Sequence, residues 1–456
     1  MEENKKLIVL MDSVGIEDVG LVGGKNASLG EMIKNLARRG VPVPSGFIVT
    51  AEAYQYFLKK TGLAGKIRVI LAGLDTRNLR DLAKRGKEVR ETIKKTKFPD
   101  DLREMIVSAY ADMEKKYGRN VDVAVRSSAT AEDLPGASFA GEHDTYLGIR
   151  GADAVAVATL NCMASLFTDR AISYRVDKGF DHFKVSLSVG VQKMVRSDMG
   201  ASGVMFTVDT ETGFRDVILI NASWGLGEMV VQGEVTPDEY LVFKKGLGEI
   251  AASNPIIGKT LGVKDKKMTY ASGTGAKRTK VVSTTDRERK IFVLSDEEIK
   301  KLANWGFEIE KHYSSKHGGA WMPMDIEWAK DGKTGELFIV QARPETVQAG
   351  KDFSKIKEYE RKGGGEPIAK GASVGSKIAV GKAHVILDVK QINSFKAGEI
   401  LVTDMTDPDW EPIMKIAAAI VTNKGGRTSH AAIVSRELGI PAVVGTENAS
   451  RKIKTG

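Results

Sequence analysis

Apolar residues at 29, 32, 33, 36 and 37 recur at helical spacing, with Asn26 or Ser28 placed to cap the helix and Gly40 to stop it. A Gly23-Gly24-Lys25 turn precedes this helix, and residues 41–46 lead into a short strand. Residues 51–117 read as mainly helical with heavily charged faces. Val121, Val123 and Val125 alternate and predict a strand ending at Arg126. The Gly/Ser/Ala segment 127–148 is too long for a plain connection and predicts a binding loop. Short β-rich runs at 185–195, 204–208, 217–222 and 240–243 precede a loop-rich excursion over 253–290. A helix over 295–313 then leads to a hairpin, 324–329 against 337–343, turned at 331–335. The charged, glycine-bearing segment 349–366 predicts a linker. Beyond it, β runs at 378–380, 383–386, 400–403 and 419–421 surround a helix over 429–438, closed by Gly439 with Pro441 just past it. The pattern is α/β (α+β), with a large domain over 1–348, the linker, and a smaller domain over 367–456.

Composition narrows the functional class. With 42% hydrophobic residues, 28% charged and 12 prolines in 456 residues, the chain has ample material for packed cores, which excludes disorder and a fibrous repeat. The net charge of +9 suits anionic ligands such as nucleotides. Its basic residues are dispersed, with no arginine-rich arm or aromatic–basic alternation, so no nucleic-acid partner is expected. The single cysteine, Cys162, excludes an intramolecular disulfide framework and a cysteine zinc site. The apolar run 7–11 is too short for a signal peptide, and no apolar stretch has membrane length, so a cytoplasmic protein without a membrane partner is expected.

Four places could carry chemistry. Lys25 lies in a glycine turn before a helix, where backbone N–H groups can cradle phosphate and the lysine supplies a point charge; a solvated surface lysine is the plain alternative. On the hairpin, Asp325 and Glu327 are two apart and face one side, as do Gln341 and Arg343 on the return strand. Such a set suits a Mg²⁺-nucleotide platform, or equally a cross-strand salt bridge on a solvated face. Arg126 at a strand end could grip phosphate bidentately, with the loop to Thr145 lying over it, or could be structural. His430, after Gly425-Gly426-Arg427-Thr428-Ser429, begins a helix whose N–H groups favour a neutral imidazole and stabilise a phosphate placed on it. A phosphoryl-accepting histidine needs that setting, although a histidine that merely caps the helix would occupy the same position.

Together these motifs resemble those of the phosphoenolpyruvate synthase (pyruvate, water dikinase) family. The resemblance rests on Gly23-Gly24-Lys25-Asn26-Ala27-Ser28-Leu29, Val125-Arg126-Ser127-Ser128-Ala129-Thr130, Asp325-Ile326-Glu327-Trp328, Gln341-Ala342-Arg343-Pro344 and residues 425–432. It extends to Ser165-Leu166-Phe167-Thr168-Asp169-Arg170, Ser223-Trp224-Gly225-Leu226-Gly227-Glu228 and residues 403–412, covering nearly the whole chain. It implies an ATP-grasp-like nucleotide-binding domain followed by a swivelling β/β/α phosphohistidine domain. ATP would give its two terminal phosphates to His430; loss of the outer one leaves phosphohistidine, AMP and phosphate, and pyruvate then takes the phosphoryl group. By matching motif, Lys25, Arg126, Arg170 and Arg343 would contact phosphates, and Glu327, Gln341 and Asp325 would serve Mg²⁺. Gly141 and Thr145 match a nucleotide-covering loop, Gln192 and Met194 an adenine-side strand, and Thr428 a threonine phosphorylated by a regulatory kinase in bacterial relatives.

Two departures accompany the resemblance. The family continues into a pyruvate-binding barrel, so the chain is expected to be a portion whose histidine domain stops short at Gly456. Residues 314–321 also resemble an insertion ahead of the hairpin. Rival readings are a dikinase with another acceptor (pyruvate/phosphate, rifamycin or glucan) and a non-catalytic nucleotide-binding phosphocarrier subunit. Relatives of this kind are often homodimers or larger, and the sequence leaves the oligomeric state open.

Overall fold

The structure, a computed structural model, describes residues 6–456 except 77, 131–132, 135–136, 139–144, 178, 248–253, 272–278, 346–362, 364, 376 and 428. The chain forms two compact units, Met1–Val195 and Arg196–Gly456.

In the first unit, strands β1 (Ile8–Leu10), β2 (Gly46–Val49), β3 (Val123–Ala129), β6 (Thr145–Ile149) and β7 (Leu187–Lys193) form an antiparallel sheet of order β1-β2-β7-β3-β6, and β4 (Asp133–Leu134) pairs with β5 (Ala137–Ser138). Helix α1 is Val19–Asn35, and α2 (Ala51–Lys60), α3 (Leu63–Leu71), α4 (Leu79–Lys95) and α5 (Asp100–Tyr117) fill the span read as helical. Helices α6 (Ala152–Ser165) and α7 (Asp169–Asp177) follow β6. Val49, Val123, Val125, Val189 and Val191 of the sheet join Tyr54, Phe57, Val89, Ile93, Ile106 and Val155 of the helices in one core. Central β7 is buried along most of its length, and its sequence alternates, with Leu187, Val189 and Val191 in the core and Ser188, Gly190 and Gln192 on the opposite face.

Two expectations need correcting here. Neither Asn26 nor Ser28 caps a helix: α1 already runs from Val19 and is broken at Gly23, whose φ of 71° starts a second helical stretch. Asn26 instead donates through Nδ2 to Ser188 Oγ at 2.9 Å, and that bond holds the helix against the sheet. The expected loop 127–148 is also shorter than read, because β3 continues to Ala129 and β6 begins at Thr145.

The second unit holds two larger sheets. Strands β8 (Ala201–Phe206), β9 (Val217–Trp224), β10 (Asp238–Phe243), β11 (Ile256–Thr260), β14 (Met324–Lys330) and β15 (Leu337–Pro344) form an antiparallel sheet of order β11-β10-β9-β8-β14-β15. Short helix α8 (Glu228–Val231) follows β9. The excursion read as loop-rich contains β11, a hairpin of β12 (Lys266–Tyr270) and β13 (Thr279–Ser283), and helix α9 (Asp286–Lys290). A fully buried ion pair between Lys264 and Asp238 anchors it, and Asp238 also accepts from Gly262 N and Val293 N, both at 2.8 Å. Helix α10 (Asp296–Lys316) starts with a Ser295/Glu298 capping box and buries Ile299, Leu302, Trp305, Ile309 and Tyr313 at helical spacing. Its last turn covers the start of the expected insertion, and Trp321 at the end of that segment lies 4.1 Å beneath the Arg215 guanidinium.

Of the expected linker 349–366, residues 349–362 and 364 lie outside the described set. Beyond it, β16 (Ala372–Val374), β17 (Ala383–Val385), β18 (Ile400–Thr403), β19 (Ala419–Thr422) and β20 (Ala442–Val444) form a sheet of order β16-β20-β19-β18-β17. Strands β17 to β20 pair in parallel and β16 is antiparallel to β20. Helices α11 (Glu411–Met414), α12 (His430–Leu438) and α13 (Ala449–Lys452) complete this part. Gly439 ends α12 in the left-handed conformation, as the sequence implied. Residues 378–380 are not a strand; Ile378 and Val380 are exposed there, so their apolar character marks no sheet.

Candidate functional site

In the first unit the fold gathers several of the singled-out residues on one face of its sheet. A Cβ at Gly23 would lie 2.5 Å from Ser128 O, so only glycine lets the Gly23-Gly24-Lys25 turn press onto β3. Ser128 and Arg126 are two apart on β3 and share a face, which brings the Lys25 turn and Arg126 to the same side. Arg126 stands opposite Gly190 on β7 and opposite Thr145 on β6. Asn26 packs over Gly190, whose Cβ would come within 2.3 Å of Asn26 Oδ1, and Gln192 follows on the same face two residues later. Gln192 is buried and its amide donates to Pro44 O at 2.9 Å; Met194 is also buried, just past the end of β7. Arg170 is half-buried in the first turn of α7, next to Asp169, which pairs with Arg90 at 2.8 Å. Gly141 lies outside the described residues.

In the second unit the hairpin sets Asp325 opposite Arg343 and Glu327 opposite Gln341, with a register shift between Glu327 and Trp328. Ile326 and Trp328 point into the core, and the four polar side chains are half-buried on the other face. Arg343 Nε and Nη2 both reach Asp325 Oδ2 at 2.9 Å, so the cross-strand ion pair considered from the sequence is present. The turn is held by Asp331, whose Oδ1 accepts from Lys333 N at 2.8 Å and Thr334 N at 3.2 Å. Among the described residues no group of three or more His, Cys, Asp and Glu could cage a metal by itself. One or two carboxylates with an amide oxygen, as Glu327, Asp325 and Gln341 supply, are the oxygen donors that Mg²⁺ takes alongside nucleotide phosphates.

His430 is the first residue of α12, with Ser429 at the N-cap. Its Nδ1 lies 3.0 Å from Thr406 Oγ1, and Thr406 is buried. A hydroxyl there fixes the ring plane; in the tautomer with the proton on Nδ1 it accepts Nδ1–H and the Nε2 lone pair is the nucleophilic one. The Ser429 hydroxyl is buried and makes no hydrogen bond among the described residues. Gly425 has φ 93°, and a Cβ on it would lie 2.7 Å from Ser429 Cβ, so the turn closes tightly onto the helix start. Behind the turn, Asp404 pairs with Lys424 at 2.5 Å and accepts from Asn423 Nδ2 at 3.0 Å. Burial would raise the Asp404 carboxyl, but these donors and the Lys424 charge outweigh it and hold it below its ordinary value. Thr406 and Asp404 were not assigned roles from sequence; their stretch, 403–412, stood out only as a motif. Thr428 lies outside the described residues.

A family model described as pyruvate phosphate dikinase, AMP/ATP-binding domain, matches residues 19–363, and one described as PEP-utilising enzyme, mobile domain, matches residues 395–456. The chain is 61% identical over 462 residues to a phosphoenolpyruvate synthase of Aquifex aeolicus, covering 100% of the chain and 53% of the relative. It is 57% identical to one of Synechocystis, over 99% of the chain and 55% of the relative. It is 51% identical to one of Escherichia coli, over 99% of the chain and 55% of the relative. The chain thus spans about half the length of the curated relatives it matches. Among the described residues no helix is long and apolar enough to cross a membrane.

Proposed function

Because the chain belongs to the pyruvate phosphate dikinase AMP/ATP-binding domain family, we propose that it transfers phosphoryl groups from ATP to His430. This is the first half of the conversion of ATP, pyruvate and water to AMP, phosphoenolpyruvate and phosphate. The observation that carries the reading is His430 at the start of α12 with its Nδ1 on the buried Thr406 hydroxyl. A neutral ring held in one orientation beside helix N–H groups is both a nucleophile near neutral pH and a seat for the charge it acquires.

In this reading Nδ1–H is donated to Thr406, and Nε2 attacks the β-phosphorus of ATP as the bond to the α-phosphate oxygen breaks and AMP leaves. Water then removes the outer phosphoryl as phosphate, leaving one phosphoryl on Nε2. Lys25 and Arg126 hold phosphate oxygens on the first unit's sheet, with Thr145 at its rim, Gly141 in the covering loop, and Arg170 as a further phosphate contact. Gln192 and Met194 form the base side through the wall they build, since the Gln192 amide is already engaged by Pro44 O. Arg343 binds phosphate by exchanging Asp325 for it. Glu327 and Gln341, with Asp325 assisting, would hold Mg²⁺, which would neutralise charge on the transferring phosphates. The large domain over 1–348 would bind nucleotide and the part over 367–456 would carry the phosphoryl group to pyruvate in a soluble cytoplasmic enzyme. Regulation at Thr428 and assembly into oligomers belong to the same reading.

Intact-mass measurement after incubation with Mg-ATP tests it. The chain should gain one phosphoryl group, and His430→Ala should gain none while still binding ATP. Phosphate retained by the variant would make another residue the acceptor, and no gain by the wild-type chain would leave a nucleotide-binding module.

A further inference from the structure

A second set of charges, away from the reacting ring, bears on how His430 is presented. Glu211, between β8 and β9, and Arg436, on α12, have side chains only 11% and 6% exposed and form an ion pair. Arg436 Nε donates to Glu211 Oε1 at 3.0 Å, and Arg436 Nη2 reaches the same oxygen. The other oxygen, Oε2, accepts from Gly375 N at 2.7 Å, just past β16. Arg436 Nη2 also donates to Arg427 O, so one guanidinium ties the sheet of β8 to β10, the helix and the turn before His430 together.

Two further contacts lie along the same boundary. Arg427 Nη1 stands 3.7 Å from Glu239 Oε1 on β10. Burial raises the Glu239 carboxyl; Arg427 opposes this, and Asp209 and Glu211 add to it. Gly233, just past α8, has φ 69°, and a Cβ there would lie 2.4 Å from Ser429 Cβ, so the backbones meet closely at the residue before His430.

A buried ion pair adds little net stability, because removing both charges from water offsets most of their attraction. What such a pair supplies well is register, since a misplaced Arg436 would leave two desolvated charges unpaired. Arg436 lies six residues from His430, about 9 Å along the helix, so a shift of α12 at one end moves the ring at the other.

We propose that Glu211 and Arg436 are positioning residues for phosphoryl transfer: their ion pair holds α12 against β8 to β10 in the register in which His430 receives the phosphoryl group. The proposal rests on the reading of His430 as the acceptor. It touches neither ATP nor the imidazole, so its signature is a slower transfer at unchanged nucleotide affinity.

The test is a double-mutant cycle with Glu211→Gln, which keeps an acceptor for Gly375 N–H, Arg436→Met, and both together. Three quantities are read: the single-turnover rate of His430 labelling at saturating Mg-ATP, the Kd for ATP, and chemical labelling of His430 by phosphoramidate. Each single variant should label about tenfold more slowly, with the double no slower than the worse single, as expected for two groups acting as one unit. ATP affinity and phosphoramidate labelling should match wild type. Wild-type rates in the single variants, or effects that multiply in the double, would overturn the proposal. A parallel loss of phosphoramidate labelling would also overturn it, by showing a merely structural role. If the wild-type chain takes phosphate from phosphoramidate but none from Mg-ATP, the functional reading itself falls and takes this proposal with it.

Discussion

Two residues show how local environment sets chemistry. Thr406 supplies one hydroxyl to His430, and Thr406→Val removes it at nearly constant volume, leaving Nδ1 without that partner and the ring free to change tautomer. Labelling of His430 from Mg-ATP should fall about tenfold or more, in line with the usual effect of misorienting a reacting group, while ATP binding is unchanged. A rapid-quench time course decides it, and equal rates would mean that Thr406 only packs. His182 is the opposite case, a histidine kept neutral for stability. Burial first, and then the Arg175 guanidinium, draw its pKa down to about 4, with Asp181 opposing. Its Nδ1 accepts from Arg175 Nε at 2.9 Å, on the helix that also carries Arg170. In the unfolded chain the ring titrates near its ordinary value, about 6.5. Below that pH the unfolded state takes up a proton that the folded state refuses, so stability is fullest above about pH 6.5 and is lost as pH falls from there towards 4. Relative to His182→Gln, the wild-type chain should lose stability across that window, read by hydrogen exchange in the first unit; parallel pH curves would refute the assignment.

At the scale of elements, the β14–β15 hairpin was legible because its turn residues and its alternation agree, whereas the register shift between Glu327 and Trp328 that sets Glu327 opposite Gln341 was not. That register argues for Glu327→Gln as the informative change: it keeps shape and a hydrogen-bonding oxygen but removes the charge offered to the transferring phosphates. Single-turnover labelling should drop by about 100-fold or more, with ATP affinity changed only a few-fold, since the carboxylate acts chiefly in the transition state. Unchanged labelling at saturating Mg-ATP would make the hairpin carboxylates structural. Helix α12 was legible for a similar reason, with Gly439 and Pro441 closing what His430 opens. Thr406 had no assigned role because it sits 24 residues before His430 on another loop, and threonine at such a position has no periodicity to betray it. The β12–β13 hairpin was missed because Lys266-Lys267-Met268-Thr269-Tyr270 buries no side chain fully; Lys264 and Asp238, 26 residues apart, fix its base. The Glu211–Arg436 contact spans 225 residues, a separation at which one sequence carries no pairing signal.

For the whole molecule, the residues assigned above divide by what they contact, and that division makes the last prediction. Lys25, Arg126 and their neighbours belong to the first unit, the hairpin and His430 to the second, and under the proposed function each is assigned to ATP, Mg²⁺ or the carrier ring. None offers the constellation an enolate needs, namely a cation facing a carboxylate-binding pocket with a proton donor above it. The chain should therefore run the nucleotide half-reaction once and stop. With ATP labelled in the β-phosphoryl, label should remain on His430; with γ-labelled ATP, it should appear as free phosphate; and the nucleotide product should be AMP. About one equivalent should be consumed per chain, because a carrier that is not discharged blocks the next cycle, and adding pyruvate should not change the amount. ADP as the main product would indicate transfer of a single phosphoryl and refute attack at the β-phosphorus. Sustained phosphoenolpyruvate formation would show that an acceptor site lies within these 456 residues after all.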